Sequence, residues 1–368
     1  MPQGDRRQET GEAGGFANIG LSPRAGAPIM DTMSTTKPVQ SENAVAADVA
    51  RAGRTYLSVL DLSPETLEAC LVLAGRLKRE RRLGPDAPTA RALAGHTLAL
   101  LFDKPSLRTR TGFEIAMREL GGHVSCPPSA DALGTREPLA DVARTLERWV
   151  SVAAIRTFEH TRLREFVEAT TRLRIVNALT NEEHPCQALA DCLTVQERCG
   201  AVRDRTLAYV GDGNNVATSL THAAMMLGLN LRLASPEKFA LPEETLDAAR
   251  RVARHGAQLV QLHDPVEAVR GADAVYADVW TSMGQETDQT HRRAAFQGYR
   301  VTSALMAEAN DDAVFMHCLP AHRGEEVDAN VLEGPRSVVF DQAENRLHTQ
   351  KALLLMMLGG VEPDHDNV

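Results

Sequence analysis

The chain has 368 residues, 43% of them hydrophobic, 24% charged and 4% aromatic, and its 40 basic and 49 acidic residues leave a formal net charge of -9. No apolar run approaches the roughly 20 residues that a membrane-crossing helix needs, so a soluble globular protein is expected, and at about 100–200 residues per domain the length favours two domains. An acidic chain with so few aromatics lacks the basic stripe and stacking side chains of nucleic-acid binding, so neither a nucleic-acid nor a membrane partner is expected. Cys70, Cys126, Cys186, Cys192, Cys199 and Cys318 form no C-x-x-C pair and no disulfide-framework spacing, which points to a reducing cytoplasm.

Residues 1–53 mix Gly, Pro, Ser, Thr and Ala with both charge signs and show no helical or strand period. They are expected to form a disordered tail without signal or transit character, and Met30 or Met33 is an alternative start. Ser63-Pro64-Glu65 then caps a predicted helix at 66–78. HTLALLF at 96–102 predicts a strand, followed by a helix at 106–120, and the apolar runs 153–155 and 174–178 predict two more strands. A long amphipathic helix at 186–199 leads to a second series of strands at 206–210, 230–234, 258–262, 274–277, 314–317 and 338–340. A last helix, 343–358, is long enough to cross back to the first half. Alternation of this kind predicts an α/β protein with two domains, each a parallel sheet flanked by helices, joined by interdomain helices. One domain comprises 54–187 plus 344–362, the other 188–343.

Two strings in the first half carry chemistry. FDKPSLRTR, at 102–110, lies at a strand-to-helix junction, where free backbone N–H groups and the positive end of the helix dipole favour an anion. Ser106, Thr109 and the Leu107 amide are candidates to cradle a phosphate, with Arg108 adding full charge; the ordinary alternative is a serine cap with surface arginines. With 35 arginines in the chain, context matters more than residue type. Arg108 and Arg110 are two apart and cannot share a helix face, so one of them meets the anion, and Arg108 is the better placed. HPCQ, at 184–187, sets His184 and Gln187 at the start of the joining helix, held by Pro185. A neutral imidazole and a carboxamide there suit a carbonyl oxygen that gains charge during acyl transfer, although such residues at helix starts are more often caps.

The second half carries three strings at predicted strand ends. YVGDGNNVATS, at 209–219, tests a nicotinamide-binding reading and counts against it. Val216 occupies the third glycine's place, and the next strand ends in Ala234-Ser235 without the ribose-binding acid. The loop instead presents Asn214 and Asn215 where open α/β sheets bind ligands. In DVWTSMGQE, at 278–286, Asp278 is suited to an ammonium group, and Ser282-Met283-Gly284 to a turn whose backbone meets a polar substrate. In HCLPAHRGEE, at 317–326, Cys318 stands at a strand end, and as a nucleophile it would need a lowered pKa. His184, Cys186, His317 and Cys318 lack the paired spacing of a zinc site. Arg346, in the last helix, is either an anion ligand or the partner of an acid.

HPCQALADCLT, DVWTSMGQE and FMHCLPAHRGEEV, in this order, make residues 56–358 resemble the aspartate and ornithine carbamoyltransferase family. The DxxxSMG and HCLP strings are similar to those of its ornithine-using members. The resemblance implies transfer of the carbamoyl group of carbamoyl phosphate to the side-chain amine of L-ornithine, giving L-citrulline and phosphate in arginine metabolism. It also implies a homotrimer or multiple of trimers, with a neighbouring subunit completing the phosphate pocket, and no metal or organic cofactor. The domain built from 54–187 plus 344–362 would bind carbamoyl phosphate and the domain 188–343 ornithine. Ser106, Leu107, Arg108 and Thr109 would take the phosphate, and Arg156, His184 and Gln187 the carbamoyl group. Asn215, Asp278, Ser282 and Met283 would hold ornithine, with Cys318, Leu319 and Arg346 completing the site. Arg108, Arg156, His184, Gln187, Asp278 and Cys318 are the implied catalytic set.

Two positions depart from the family pattern. Leu107 stands where many members have threonine, and Ala132 where many have a Gln or His that reaches the phosphate; both bear on affinity more than on reaction type. The nearest alternatives are a carbamoyltransferase for another amine, such as N-acetylornithine or putrescine, and a catalytically silent regulatory relative.

Overall fold

The structure, a computed structural model, describes residues 55–134, 136–281 and 286–359; the expected tail and the Ser282-Met283-Gly284 turn lie outside them. One sheet contains β1 (Thr55–Tyr56), β2 (Thr97–Phe102), β3 (His123–Ser125), β4 (Val152–Arg156) and β5 (Arg174–Leu179), in the order β1-β5-β4-β2-β3. The other contains β6 (Thr206–Val210), β7 (Asn230–Ala234), β8 (Leu259–Leu262), β9 (Ala274–Ala277) and β10 (Val314–His317), in the order β10-β9-β6-β7-β8. All pairings within the two sheets are parallel. The helices are α1 (Pro64–Glu80), α2 (Leu107–Glu119), α3 (Ser129–Ala132), α4 (Leu139–Trp149), α5 (His160–Ala169), α6 (Pro185–Cys199) and α7 (Asn215–Leu227). They continue with α8 (Glu243–Arg251), α9 (Pro265–Val269), α10 (Gln289–Ala295), α11 (Ser303–Met306), α12 (Ala329–Leu332) and α13 (Val339–Leu358).

Apolar runs become parallel strands here because both sheet faces are covered. In β2, Leu98 and Leu100 join the large core that runs between the sheets, while Ala99 and Leu101 face a second cluster with Ile155 and Phe166. β6 repeats this period of two: Leu207 and Tyr209 enter the large core, and Ala208 and Val210 pack with Phe296 and Phe315. Each fully buried Leu or Phe contributes roughly 1.5–3 kcal/mol relative to exposure. At the start of α1 the Thr66 N–H donates to Ser63 Oγ at 3.2 Å, so the expected cap forms.

Two expectations change. Residues 338–340 are not a strand: only a single bridge forms, with Phe315 N–H on the Arg336 carbonyl at 2.8 Å and Val338 N–H on the Phe315 carbonyl at 2.9 Å. The chain then turns into α13 at Val339, leaving Phe340 71% exposed. Three β-formers are outweighed by the long helical register that follows. The joining helix α6 is not amphipathic in the solvent-facing sense, since residues 185–195 are all buried. Its polar stripe meets that of α13: Gln342 Nε2 donates to Asp191 at 2.7 Å and Asn345 Nδ2 to Thr194 Oγ1 at 3.0 Å. α13 thus leaves the second sheet and packs on α1, α2 and α6.

In each sheet the chain order reverses once, between β2 and β4 and between β6 and β9. The carboxyl ends at such a reversal splay their loops apart and leave a crevice, which is where open α/β sheets bind ligands.

Candidate active site

At the first reversal, β2 leads through residues 103–106 into α2. Ser106 is extended and makes no capping bond; its Oγ instead accepts from Arg156 Nη1 at 3.4 Å, at the end of β4. The first N–H groups of α2 therefore have no side-chain cap and remain open to an anion. Arg108 lines the cleft, whereas Arg110 is exposed and lines no part of it. Thr109 is buried, and its hydroxyl accepts from Arg346 Nη2 at 2.8 Å. Arg346 reaches here from α13 and also donates to Gln187 Oε1. Burial, reinforced by Arg346 and Arg108, pushes the Arg156 guanidinium down to about 10. Burial likewise lowers Arg108 and Arg346. Arg108, Arg156 and Arg346, close enough to act on one another's charge, constitute a site for a multiply charged anion.

Pro185 occupies the first turn of α6 with His184 as its cap residue. The Gln187 carboxamide is held at both ends, its Nε2 donating to Asp191 at 2.8 Å while its oxygen receives Arg346. This leaves one N–H of the amide for a ligand. Burial, followed by the charges of Arg346, Arg156 and Arg108, holds the His184 imidazole well below its ordinary range, so the ring is neutral. Its Nδ1, with Nε of Arg156 and Arg346, is buried without a hydrogen-bond partner among the described residues.

At the second reversal, Gly213 lies so close to the 239–241 loop that a Cβ would fall 2.6 Å from the Leu241 nitrogen, so the loop accepts no larger residue. Asn214 caps α7, its Oδ1 taking the Val216 and Ala217 N–H groups at 2.9 and 3.2 Å, and its Nδ2 donates to Asp278 Oδ2 at 2.7 Å. Asn215, next in line, donates to the Thr180 carbonyl. Asp278, 2% exposed at the end of β9, also receives the Val279 N–H at 2.8 Å and the Cys318 thiol at 2.9 Å. Burial first, then Asp278, pushes the Cys318 thiol well above its ordinary range. It is a protonated donor, and the condition set for a nucleophile is not met. Leu319 adopts a left-handed backbone, φ 56°, and its N–H donates to His317 Nδ1 at 2.9 Å.

Ser106, Leu107, Arg108, Thr109, Arg156 and His184 line one cleft of about 880 Å³ together with Gln187, Asn215, Asp278, Cys318, Leu319 and Arg346. Ser282 and Met283 lie outside the described residues, and Ala132 is buried away from the cleft. Lys104, Asp212, Asn214 and Arg292 are among the cleft residues to which the sequence gives no role. Lys104, buried over the Phe158 ring at 4.0 Å, donates to Asn181 at 2.9 Å. Its signal was available, since it is one of 5 lysines and sits inside the anion-binding string. In the sequence Asn214 is recognisable only as a residue presented by its loop. Arg292 joins Asp212 at 2.9 Å and the Trp280 carbonyl at 2.8 Å, tying the loops after β6 and β9 together. Burial raises Asp212 to about 6, with Arg292 opposing. Arg292 has no sequence signal, because HRR at 291–293 reads as an ordinary helix surface, whereas Asp212 lies inside the 209–219 string.

Among the described residues, two groups bring potential metal-ligand atoms within 4.8 Å of one another: Asp278, His317 and Cys318, and His322, Glu325 and Glu326. In the first, Cys318 already donates to Asp278, while His317 accepts from Leu319 and lies 3.3 Å from Glu326. In the second, Glu325 is paired with Arg293, and one oxygen of Glu326 takes the His322 N–H.

The family model "Aspartate/ornithine carbamoyltransferase, carbamoyl-P binding domain" matches residues 54–197, and "Aspartate/ornithine carbamoyltransferase, Asp/Orn binding domain" matches 203–357. The chain is 48% identical over 323 residues to an ornithine carbamoyltransferase of Parasynechococcus marenigrum, covering 86% of this chain and 99% of the relative. Its fold is similar to the ornithine carbamoyltransferase from Pyrococcus furiosus, with TM-score 0.79 and 43% identity over 84% of this chain and 98% of that one. It is also similar to that from Thermus thermophilus, with TM-score 0.74 and 43% identity over 83% and 99% of the two chains. The chain belongs to the aspartate/ornithine carbamoyltransferase family.

Proposed function

We propose that this chain transfers the carbamoyl group of carbamoyl phosphate to the side-chain amine of L-ornithine, releasing L-citrulline and phosphate. The observation that carries this reading is the division of charge in the cleft. Arg108, Arg156 and Arg346 gather on one side, opposite the buried carboxylate of Asp278. The cationic side suits a phosphate, and the carboxylate suits the ammonium of an amino acid.

The chemistry is mainly electrostatic. Arg108, Ser106 and the opening amides of α2 neutralise the departing phosphate. Arg156, neutral His184 and the free N–H of Gln187 stabilise the oxyanion of the tetrahedral intermediate, each lost donor costing on the order of 3 kcal/mol. The attacking amine of ornithine is neutral when it reacts. Asp278 takes the α-ammonium, while Asn215, Ser282 and Met283 serve the α-carboxylate. The protonated Cys318 thiol keeps Asp278 oriented.

Homotrimeric assembly is part of this reading. It is supported by Leu107, an apolar side chain 76% exposed at the phosphate end of the cleft, where a neighbouring subunit would cover it. Residence in the cytoplasm is supported by the buried free thiols of Cys70, Cys186 and Cys192, all of which burial raises well above the ordinary thiol range. No helix among the described residues is long and apolar enough to cross a membrane. Run toward citrulline, this reaction serves arginine biosynthesis. Citrulline formation with ornithine, N-acetylornithine and putrescine in parallel tests the substrate: ornithine is expected to exceed the others by at least about a hundredfold in kcat/KM. A preference for N-acetylornithine or putrescine would overturn the substrate and leave carbamoyl transfer intact.

A further inference from the structure

Immediately before His184 lies Glu183, a carboxylate only 7% exposed that lines no part of the cleft. Ser58 Oγ donates to one of its oxygens at 2.5 Å and Ser219 Oγ to the other at 2.6 Å, and His222 Nδ1 stands 3.4 Å away. Ser58 and Glu183 follow β1 and β5 of the first sheet, whereas Ser219 and His222 are on α7 of the second. One buried anion is therefore shared between the two halves. Burial acts to raise its carboxyl, but His222, Ser219 and Ser58 outweigh this and hold it below the usual carboxylate range.

Ser219 also accepts the His184 N–H at 2.9 Å, and the same N–H lies 3.2 Å from the Asn215 carbonyl. Glu183 is itself held by its backbone, its N–H on Thr180 Oγ1 at 3.3 Å and its carbonyl receiving the Thr180 N–H at 2.9 Å. A carboxylate only accepts hydrogen bonds, so Ser219 must spend its proton on Glu183 and turn a lone pair to His184. A carboxamide at 183 would put an NH2 group opposite one of the two serines and reverse the direction of that bond.

We propose that Glu183 is a positioning residue, which through Ser219 sets the His184 backbone against Asn215 and so aligns the carbamoyl group held from the first sheet with the amine held from the second. This rests on the reaction proposed above. Misplacement of a reacting group by an ångström costs far more in turnover than in ground-state binding.

The test is steady-state citrulline formation by Glu183→Gln, Ser219→Ala and the double variant, with Glu182→Gln as an exposed control. Rates are taken per folded active site, carbamoyl phosphate binding is followed by calorimetry, and melting temperature is recorded for each. Each single variant is expected to lose at least about fivefold in kcat while carbamoyl phosphate affinity stays within about twofold. The double variant should be no slower than the worse single one, as for two residues on one path. If Glu183→Gln does not fold, Ser219→Ala, which removes one oxygen, decides by the same criterion. Wild-type kcat in the folded variants, with only the melting temperature lowered, overturns the inference, as does full additivity in the double variant. A wild-type enzyme that makes no citrulline overturns the proposed reaction and this inference with it.

Discussion

The Cys318 thiol donates to Asp278 across 2.9 Å, joining the ends of two adjacent strands, β10 and β9, at the floor of the cleft. This contact, together with burial, keeps sulfur protonated and gives it an orienting task. Cys318→Ala should therefore retain kcat within about tenfold while the ornithine KM rises. Loss of a covalent nucleophile would instead cost on the order of 10⁴-fold or more. Kinetics at saturating carbamoyl phosphate separate the two, and a loss of that larger size would restore the nucleophile reading.

Arg108 and Arg110 should behave differently. Arg108 lines the cleft and Arg110 is exposed outside it. Arg108→Ala is expected to lower turnover by at least about a hundredfold and weaken carbamoyl phosphate binding, whereas Arg110→Lys leaves both within about threefold. Calorimetric titration showing undiminished binding to Arg108→Ala would remove it from the phosphate site.

Asp278 accepts from Asn214, Val279 and Cys318. Asp278→Asn keeps the volume but removes the charge opposite the α-ammonium. The ornithine KM should rise by about tenfold or more with carbamoyl phosphate affinity unchanged. Asn214→Ala should move the same KM in the same direction, because it releases one oxygen of that carboxylate. Unchanged ornithine KM in both variants would place the amine elsewhere.

Asp191 links stability to pH. Burial raises its carboxyl to about 7 from 3.8, although Gln187 and Gln342 both donate to it. Between about pH 4 and 7 the folded carboxyl keeps a proton that the unfolded chain releases. Its stabilising contribution is therefore full below pH 4 and is lost as pH rises through 7. Asp191→Asn keeps an acceptor for both amides and removes this dependence. Its melting temperature relative to wild type should rise by several degrees from pH 5 to pH 8; a constant difference would contradict the assignment.

The order and type of most elements were legible in the sequence because parallel strands buried on both faces leave short unbroken apolar runs, as in 97–102 and 206–210, between capped helices. The site strings were legible for a related reason. Each lies at a strand end or helix start, where backbone geometry restricts residue type, as at Gly213 and Pro185. The resemblance then placed Arg108, His184, Gln187 and Asp278 in one list. What only the tertiary structure decided depends on contacts between residues far apart in the chain. The run 338–340 turned into α13 because the long helix packs on α1, α2 and α6. The polar stripe of α6, which alone reads as a solvent face, is buried against the matching stripe of α13. The protonation of Cys318, the Arg346 end of the clamp on Gln187 and the bond between Ser219 and His184 follow from burial and from partners between 35 and 159 positions away, because the free energy of a buried polar group is set by its neighbours in space.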